Sequence, residues 1–203
     1  MKILYEKATL NDVDAIINMQ NKLNMMLGLN EDSDANCLRE LIEEEIKTGD
    51  SVYFIAKNEN EVIGNVIISF SDTIIVDNIE FTASIPLIFI DEKYRGGSVA
   101  YTLFKMALKE ILAKGFNTLV MSVEDNNPNK YIHFAIADKL IEDREELLEN
   151  GGTIKQYLLA ISDVKKIANL AFRDIIKNVV YTKNNFEKLL KELPCSENIS
   201  YSL

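Results

Sequence analysis

The stretch IPLIFIDEKYRGGSVAYTLFKMALKEILAKG, residues 85–115, decides how the chain is read. Its first six residues are apolar and rich in β-branched and aromatic side chains, the composition of a strand buried on both faces. From Val99 the apolar period lengthens. Val99, Leu103 and Met106, then Phe104, Leu108, Ile111 and Leu112, recur at helical intervals up to the stop signal Lys114-Gly115. Between strand and helix lies the turn Arg95-Gly96-Gly97-Ser98-Val99-Ala100. The first N–H groups of a helix lack intrahelical acceptors and sit at the positive end of its dipole, so a glycine-lined turn there suits an anion. Glycine has no Cβ and lets phosphate oxygens approach the amides closely.

Working outward, residues 3–8 are expected as a strand. Thr9 precedes Asp12 with capping-box spacing, and Val13, Ile16, Ile17, Gln20 and Leu23 predict a first helix ending near Gly28. Residues 30–33 read as a polar loop. Leu38, Leu41, Ile42 and Ile46 mark a second helix up to Gly49, with Glu43, Glu44 and Glu45 as its solvated face. Residues 51–56 and 62–70 are the strands of a hairpin around residues 57–61, and residues 71–78 either extend the second strand or loop out. After the central stretch, 117–123 is a strand, Asn126-Asn127-Pro128-Asn129 a turn and N-cap, and 130–140 a helix. Gly151-Gly152 precede a final strand at 153–161, whose hairpin partner is residues 144–148 unless those continue the helix. Val164, Ile167, Leu170, Ala171, Ile175, Ile176 and Val179 predict one amphipathic helix. Phe186, Leu189, Leu190 and Leu193 predict a shorter one before Pro194, with residues 196–203 loose.

The 203 residues, 47% of them hydrophobic, suffice for one domain with a real core. Cys37 and Cys195 make no disulfide framework, and the single His133 excludes a multi-histidine metal centre. The N-terminal residues lack a signal-peptide pattern, and no apolar run approaches the ~18 residues of a membrane span, so a cytoplasmic protein without a membrane partner is expected. A net charge of −10 argues against nucleic acid. The charge is uneven: from Val164 onward seven Lys or Arg face four Asp or Glu, against 15 and 28 before it. An acidic body of this kind either draws a cationic substrate, such as an amine, polyamine or lysine-bearing peptide, or serves solubility.

The strand, turn and helix of residues 85–115 resemble the acyl-CoA-binding segment of the GNAT superfamily, the general N-acetyltransferases, whose turn R/Q-x-x-G-x-G/A cradles the CoA pyrophosphate. Arg95 fills the first position and Ala100 the last, while Ser98 replaces the central glycine and brings a hydroxyl able to donate to phosphate. The succession strand, two helices, three strands, glycine turn and helix, strand, helix also matches the family order over roughly residues 1–140. The resemblance implies a mixed α/β fold, with a mostly antiparallel sheet of about six or seven strands flanked by helices. It makes residues 1–163 an acyl-CoA-binding domain and 164–203 a helical appendage. In the family the fourth and fifth strands splay, and pantetheine pairs with the backbone of the fourth, which here assigns Ile88 and Ile90. Pro86 fits such a splay, or simply marks an irregular strand start.

Family members often show N-x-x-A/S-x-x-x-Y after the fifth strand, the Asn contacting pantetheine and the Tyr protonating the departing thiolate. Two registers are open. Asn127 puts Phe134 at the Tyr position, whereas Asn126 puts His133 there, and a histidine can transfer a proton. Positions that often supply the family's base map onto Ser84 and Ser122, and the nearest carboxylates in sequence are Glu80 and Glu124. Each of His133, Glu124 and Glu80 also has an ordinary structural reading. The implied function is acetyl transfer from acetyl-CoA, as cosubstrate and without a metal, to a primary amine by direct attack in a ternary complex. The alternative is a weak or inactive GNAT-like module acting through its tail. The apolar stripes of that tail require burial, either on the body or in a homodimer through the C-terminal helices.

Overall fold

The computed structural model describes residues 2–27, 35–96, 98–127, 129–147, 153–194 and 199–202. β1 (Ile3–Lys7) leads into α1 (Val13–Leu27), followed by α2 (Ala35–Thr48), the hairpin β2 (Ser51–Asn58) and β3 (Glu61–Ser69), and a shorter hairpin, β4 (Thr73–Val76) and β5 (Ile79–Phe81). Next come β6 (Ser84–Ile90), α3 (Val99–Ala113), β7 (Leu119–Glu124), α4 (Lys130–Ile136), β8 (Lys139–Leu147) and β9 (Thr153–Ile161). The chain closes with α5 (Val164–Asn169), α6 (Phe172–Asn184), α7 (Phe186–Glu192) and β10 (Ile199–Ser202). The main sheet has the order β1-β2-β3-β6-β7-β9-β8, and β10-β4-β5 form a second, smaller sheet. Pairs β1–β2, β2–β3, β7–β9 and β8–β9 are antiparallel and β6–β7 is parallel, so the mixed α/β, mostly antiparallel architecture is the expected one. No helix among the described residues is long and apolar enough to cross a membrane.

The chain folds as two compact units, Met1–Phe70 with Pro86–Glu110 and Ser71–Ile85 with Ile111–Leu203. In the first, the capping box is as the spacing predicts: the Thr9 N–H and hydroxyl both donate to Asp12 at 2.9 Å. Lys57 Nζ then joins β2 to the start of α1 and to β1, donating to Asp12 at 2.7 Å and to Glu6 at 2.6 Å. Burial pushes the Asp12 carboxyl up, but the Lys57 and Thr9 hydrogen bonds outweigh it and hold it below the ordinary value. Ile16 and Met19 of α1, Ile42 of α2, Tyr53 and Ile55 of β2, Val62 of β3 and Phe89 of β6 make the core. Gly64 on β3 is required by proximity, because a Cβ there would stand 2.6 Å from Ile90 Cδ1 and 3.1 Å from the Phe89 carbonyl oxygen.

In the second unit, α3 ends in the predicted glycine stop. Gly115 has φ +91°, its N–H donates to Leu112 O and the Phe116 N–H to Ile111 O, a Schellman pair. Among the described residues the parallel β6–β7 ladder is the single pair Ser84↔Val120.

The structure departs from the expected elements at several points. The helix expected over 130–140 stops at Ile136, where Ala137 turns extended at ψ 148°, and β8 begins already at Lys139. Leu140 and Ile141 are both buried, in separate apolar clusters, at an irregularity in the β8–β9 register, which a helical period cannot represent. The charged run after it suits a strand at the end of a sheet. The single helix expected from Val164 to Val179 is two, because Leu170 is extended at ψ 138° between α5 and α6. Residues 71–78 neither extend β3 nor simply loop out: β4 and β5 form a hairpin through Asp77 and Asn78, both at positive φ. Ile199–Ser202 are not loose but pair antiparallel with β4. The expected loop at 30–33, the helix end at Gly28, the glycine pair at 151–152, and Gly97 and Pro128 lie outside the described residues.

Candidate functional site

The glycine turn belongs to the first unit. Asp91 ends β6 by donating its N–H to Ile63 O at 2.9 Å, and its carboxylate caps a single 3₁₀ turn by accepting from the Lys93 N–H. Lys22 Nζ, 2.9 Å away, holds the Asp91 carboxyl below its ordinary value against the opposing effect of burial. Arg95 follows in extended conformation, then Gly96 at φ +78°, a left-handed geometry that a side chain resists. The Ser98 carbonyl accepts from the Thr102 N–H and hydroxyl, both at 2.9 Å, so α3 begins at this point. The amides of Ser98, Val99 and Ala100 therefore stand in its first turn, where no preceding carbonyl is available to them. Ser98 and Ala100 are exposed, while the Val99 side chain is buried at 4% exposure and can offer a ligand only its backbone.

The Arg95 side chain does not extend over the turn. Its Nε donates to Ile90 O at 3.0 Å, Nη2 lies 3.3 Å from Met26 Sδ, and the guanidinium sits 5.8 Å from the Phe89 ring centroid. Arg95 thus fastens the turn to β6 and to the end of α1. Ile90 is buried, with its Cδ1 over Gly64, and Ile88 is half-buried.

The remaining candidates belong to the second unit. Glu124 is the last residue of β7 and half-buried, and its carbonyl accepts from the Asn127 N–H at 3.0 Å. Asn127 uses its side-chain oxygen to accept from the Asn129 N–H at 2.8 Å, an Asx turn leading into α4, while Asn126 is exposed. His133 lies one turn along α4, its Nδ1 3.4 Å from Asn129 O, and burial lowers its pKa below the ordinary histidine value. Glu80 is elsewhere. It is exposed on β5, takes a hydrogen bond from the Thr82 hydroxyl, and its carbonyl accepts from the Thr118 hydroxyl at 2.8 Å. Thr118 precedes β7 and Glu124 ends it, a strand length of roughly 20 Å. The unit gathers Glu124, Asn126, Asn127 and His133 at one end of β7 and leaves Glu80 at the other.

Residues that spacing did not indicate close the β7–α4 turn. Lys130 Nζ donates to both the carbonyl and the carboxylate of Asp125 at 2.7 Å, and the Tyr157 hydroxyl donates to the same carboxylate at 3.0 Å. Lys130, then Tyr157, holds the Asp125 carboxyl below its ordinary value, and burial together with Asp125 pushes the Tyr157 phenol far up, so Tyr157 stays a donor. The Phe134 ring meets Tyr157 edge-on at 5.1 Å. Only the strand partnership Val123↔Tyr157 could have revealed Tyr157, and pairing of that kind is not written in local spacing. Among the described residues no group of three His, Cys, Asp or Glu could hold a metal ion.

The model of the acetyltransferase (GNAT) family matches residues 19–134. No curated protein matches the sequence. Among solved structures, an N-acetyltransferase from Staphylococcus aureus Mu50 superposes with a TM-score of 0.63 at 15% identity, over 81% of this chain and 99% of that one. Ribosomal-protein-alanine N-acetyltransferase from Brucella melitensis gives 0.62 at 17% identity, over 77% and 98%. The yncA protein of Salmonella typhimurium, solved with its cofactor acetyl-CoA, gives 0.63 at 12% identity, over 79% and 94%.

Proposed function

The chain belongs to the GNAT acetyltransferase family, and from that premise we propose that it moves the acetyl group of acetyl-CoA to a primary amine by direct attack in a ternary complex. One observation carries this reading: Gly96 is left-handed with nothing within 4 Å of where its Cβ would be, and the first-turn amides of α3 begin two residues later. Such a cradle fits a pyrophosphate. The cofactor solved with the Salmonella protein supports the same assignment.

Bound acetyl-CoA supplies the activated thioester carbonyl. The amides of residues 96–100 hold the phosphates, the Ser98 hydroxyl donates to one phosphate oxygen, and Arg95 keeps the turn on β6. In the first unit the backbone of Ile88 and Ile90 pairs with the pantetheine amides; in the second, Asn126 and Asn127 are the polar groups offered to the cofactor. Burial keeps His133 neutral near pH 7, so it takes the proton that the amine nitrogen loses on attack and passes it to the departing sulfur. Glu124 draws the cationic acceptor, as does the acidic balance of the first 163 residues.

Titration calorimetry with acetyl-CoA tests the cofactor site. Wild-type protein binds, and Ser98→Asp, which puts a carboxylate on an exposed position of the turn without touching the core, does not. Failure of the wild type to bind at millimolar acetyl-CoA overturns the proposal. In an amine screen, His133→Gln lowers kcat by about a hundredfold or more.

A further inference from the structure

α7 lies beyond the family match, yet its first residue packs on α4 where the β7–α4 turn ends. The Phe186 ring stands 4.9 Å from Lys130 Nζ and meets Tyr131 at 5.3 Å and Phe134 at 4.9 Å, both edge-on. Leu190 and Leu193 pack on the cluster of Val123, Phe134, Leu140, Tyr157 and Leu159, and Pro194 O accepts from the Leu140 N–H at 3.2 Å. The Lys130 ammonium is thus enclosed by the Asp125 carbonyl and carboxylate on one side and by aromatic rings on the other, with its side chain 13% exposed. An ammonium partly removed from water and held over a ring face gains attraction from both. Its bond to the Asp125 carbonyl closes residues 125–130 into a ring, which fixes the backbone that carries Asn126 and Asn127.

We propose that Phe186 of α7, through Lys130, is the brace that holds the β7–α4 turn in its cofactor-competent shape, making the C-terminal helix a positioning element for acetyl-CoA affinity. The link to affinity rests on the function proposed above; the brace does not. Removing the ring loosens the turn, so Asn126 and Asn127 occupy their binding conformation for a smaller fraction of the time, and affinity falls by that fraction. Chemistry after binding is untouched.

The test uses the full chain with Phe186→Leu, which keeps apolar volume and removes the ring, Lys130→Met, and Lys130→Arg as the conservative rescue. Amide exchange is read at Asn127, Asn129 and Lys130, whose N–H groups are bonded within the turn. Phe186→Leu and Lys130→Met are expected to speed these amides and to raise the Kd for acetyl-CoA, each by about tenfold. The kcat at saturating acetyl-CoA stays at the wild-type level, and Lys130→Arg restores affinity. Exchange at wild-type rates in both variants overturns the brace, and faster exchange with unchanged Kd overturns its role in affinity. A wild-type chain that binds no acetyl-CoA overturns the proposed function, while the exchange arm still decides the brace.

Discussion

The two turns that carry candidate residues, one in each unit, are held by different means. Residues 91–100 take most of their shape from the backbone: an aspartate cap, one left-handed glycine and the start of a long helix, with Lys22 on Asp91 and with Arg95 reaching back to Ile90, Met26 and the Phe89 ring. Residues 125–130 take theirs from side chains gathered from afar, with Tyr157 on β9 and Phe186 on α7 converging on Asp125 and Lys130. A turn of the first kind breaks when a backbone constraint is violated. One of the second kind weakens one contact at a time.

The largest expected effect comes from the backbone side. Gly64→Ala drives a methyl against Ile90 Cδ1 and the Phe89 carbonyl beneath the first turn, and should lower unfolding stability by about 1–3 kcal/mol in a denaturant titration. Gly96→Ala has open space around it and keeps only the left-handed penalty, so it should cost about 1–2 kcal/mol. Equal losses for these two would show that crowding under β6 is irrelevant. On the other side, Tyr157→Phe removes one donor to Asp125 and keeps the ring on Phe134, for a loss of about 0.5–1.5 kcal/mol.

The smallest effect is a pH dependence that separates the turns. Both Asp91, through Lys22, and Asp125, through Lys130, are held below the ordinary carboxylate value in the folded chain. The unfolded chain therefore takes up their protons at higher pH. Their contribution is complete above the ordinary carboxylate value and is lost as pH falls through the folded one. In amide exchange between about pH 5 and pH 3, Asp91→Asn should flatten the acid-side loss around residues 91–96 alone, and Asp125→Asn around residues 125–130 alone. A response of both turns to either variant would show that the two are coupled.

This contrast also explains what could be read in advance. The Thr9–Asp12 box, the glycine turn and the Gly115 stop lie within a few residues of their partners, and local spacing encodes them. So do the apolar periods of β2, β3 and α3, which is why the fold class was legible. The end of α4 was not, because the preference of 137–147 for strand comes from β9 rather than from its own period. The break at Leu170 interrupts an apolar spacing that continues through it, and the β10–β4 pairing joins the chain's last residues to its middle. In the site, Arg95 and Gly96 were visible as a motif. Asp125, Lys130, Tyr157 and Phe186 were not, since no motif spans positions brought together only by strand and helix packing.

The pairing of β10 with β4 sets an order of events during synthesis. Every residue of the first unit has been made once Glu110 is added, so its core can close while the ribosome is still extending the chain. Strand β4 must wait for Ile199–Ser202, which are made long after it. Until those residues emerge, the β4–β5 hairpin presents an unpaired edge, and a nascent chain stalled before them would carry that edge as a hazard for aggregation.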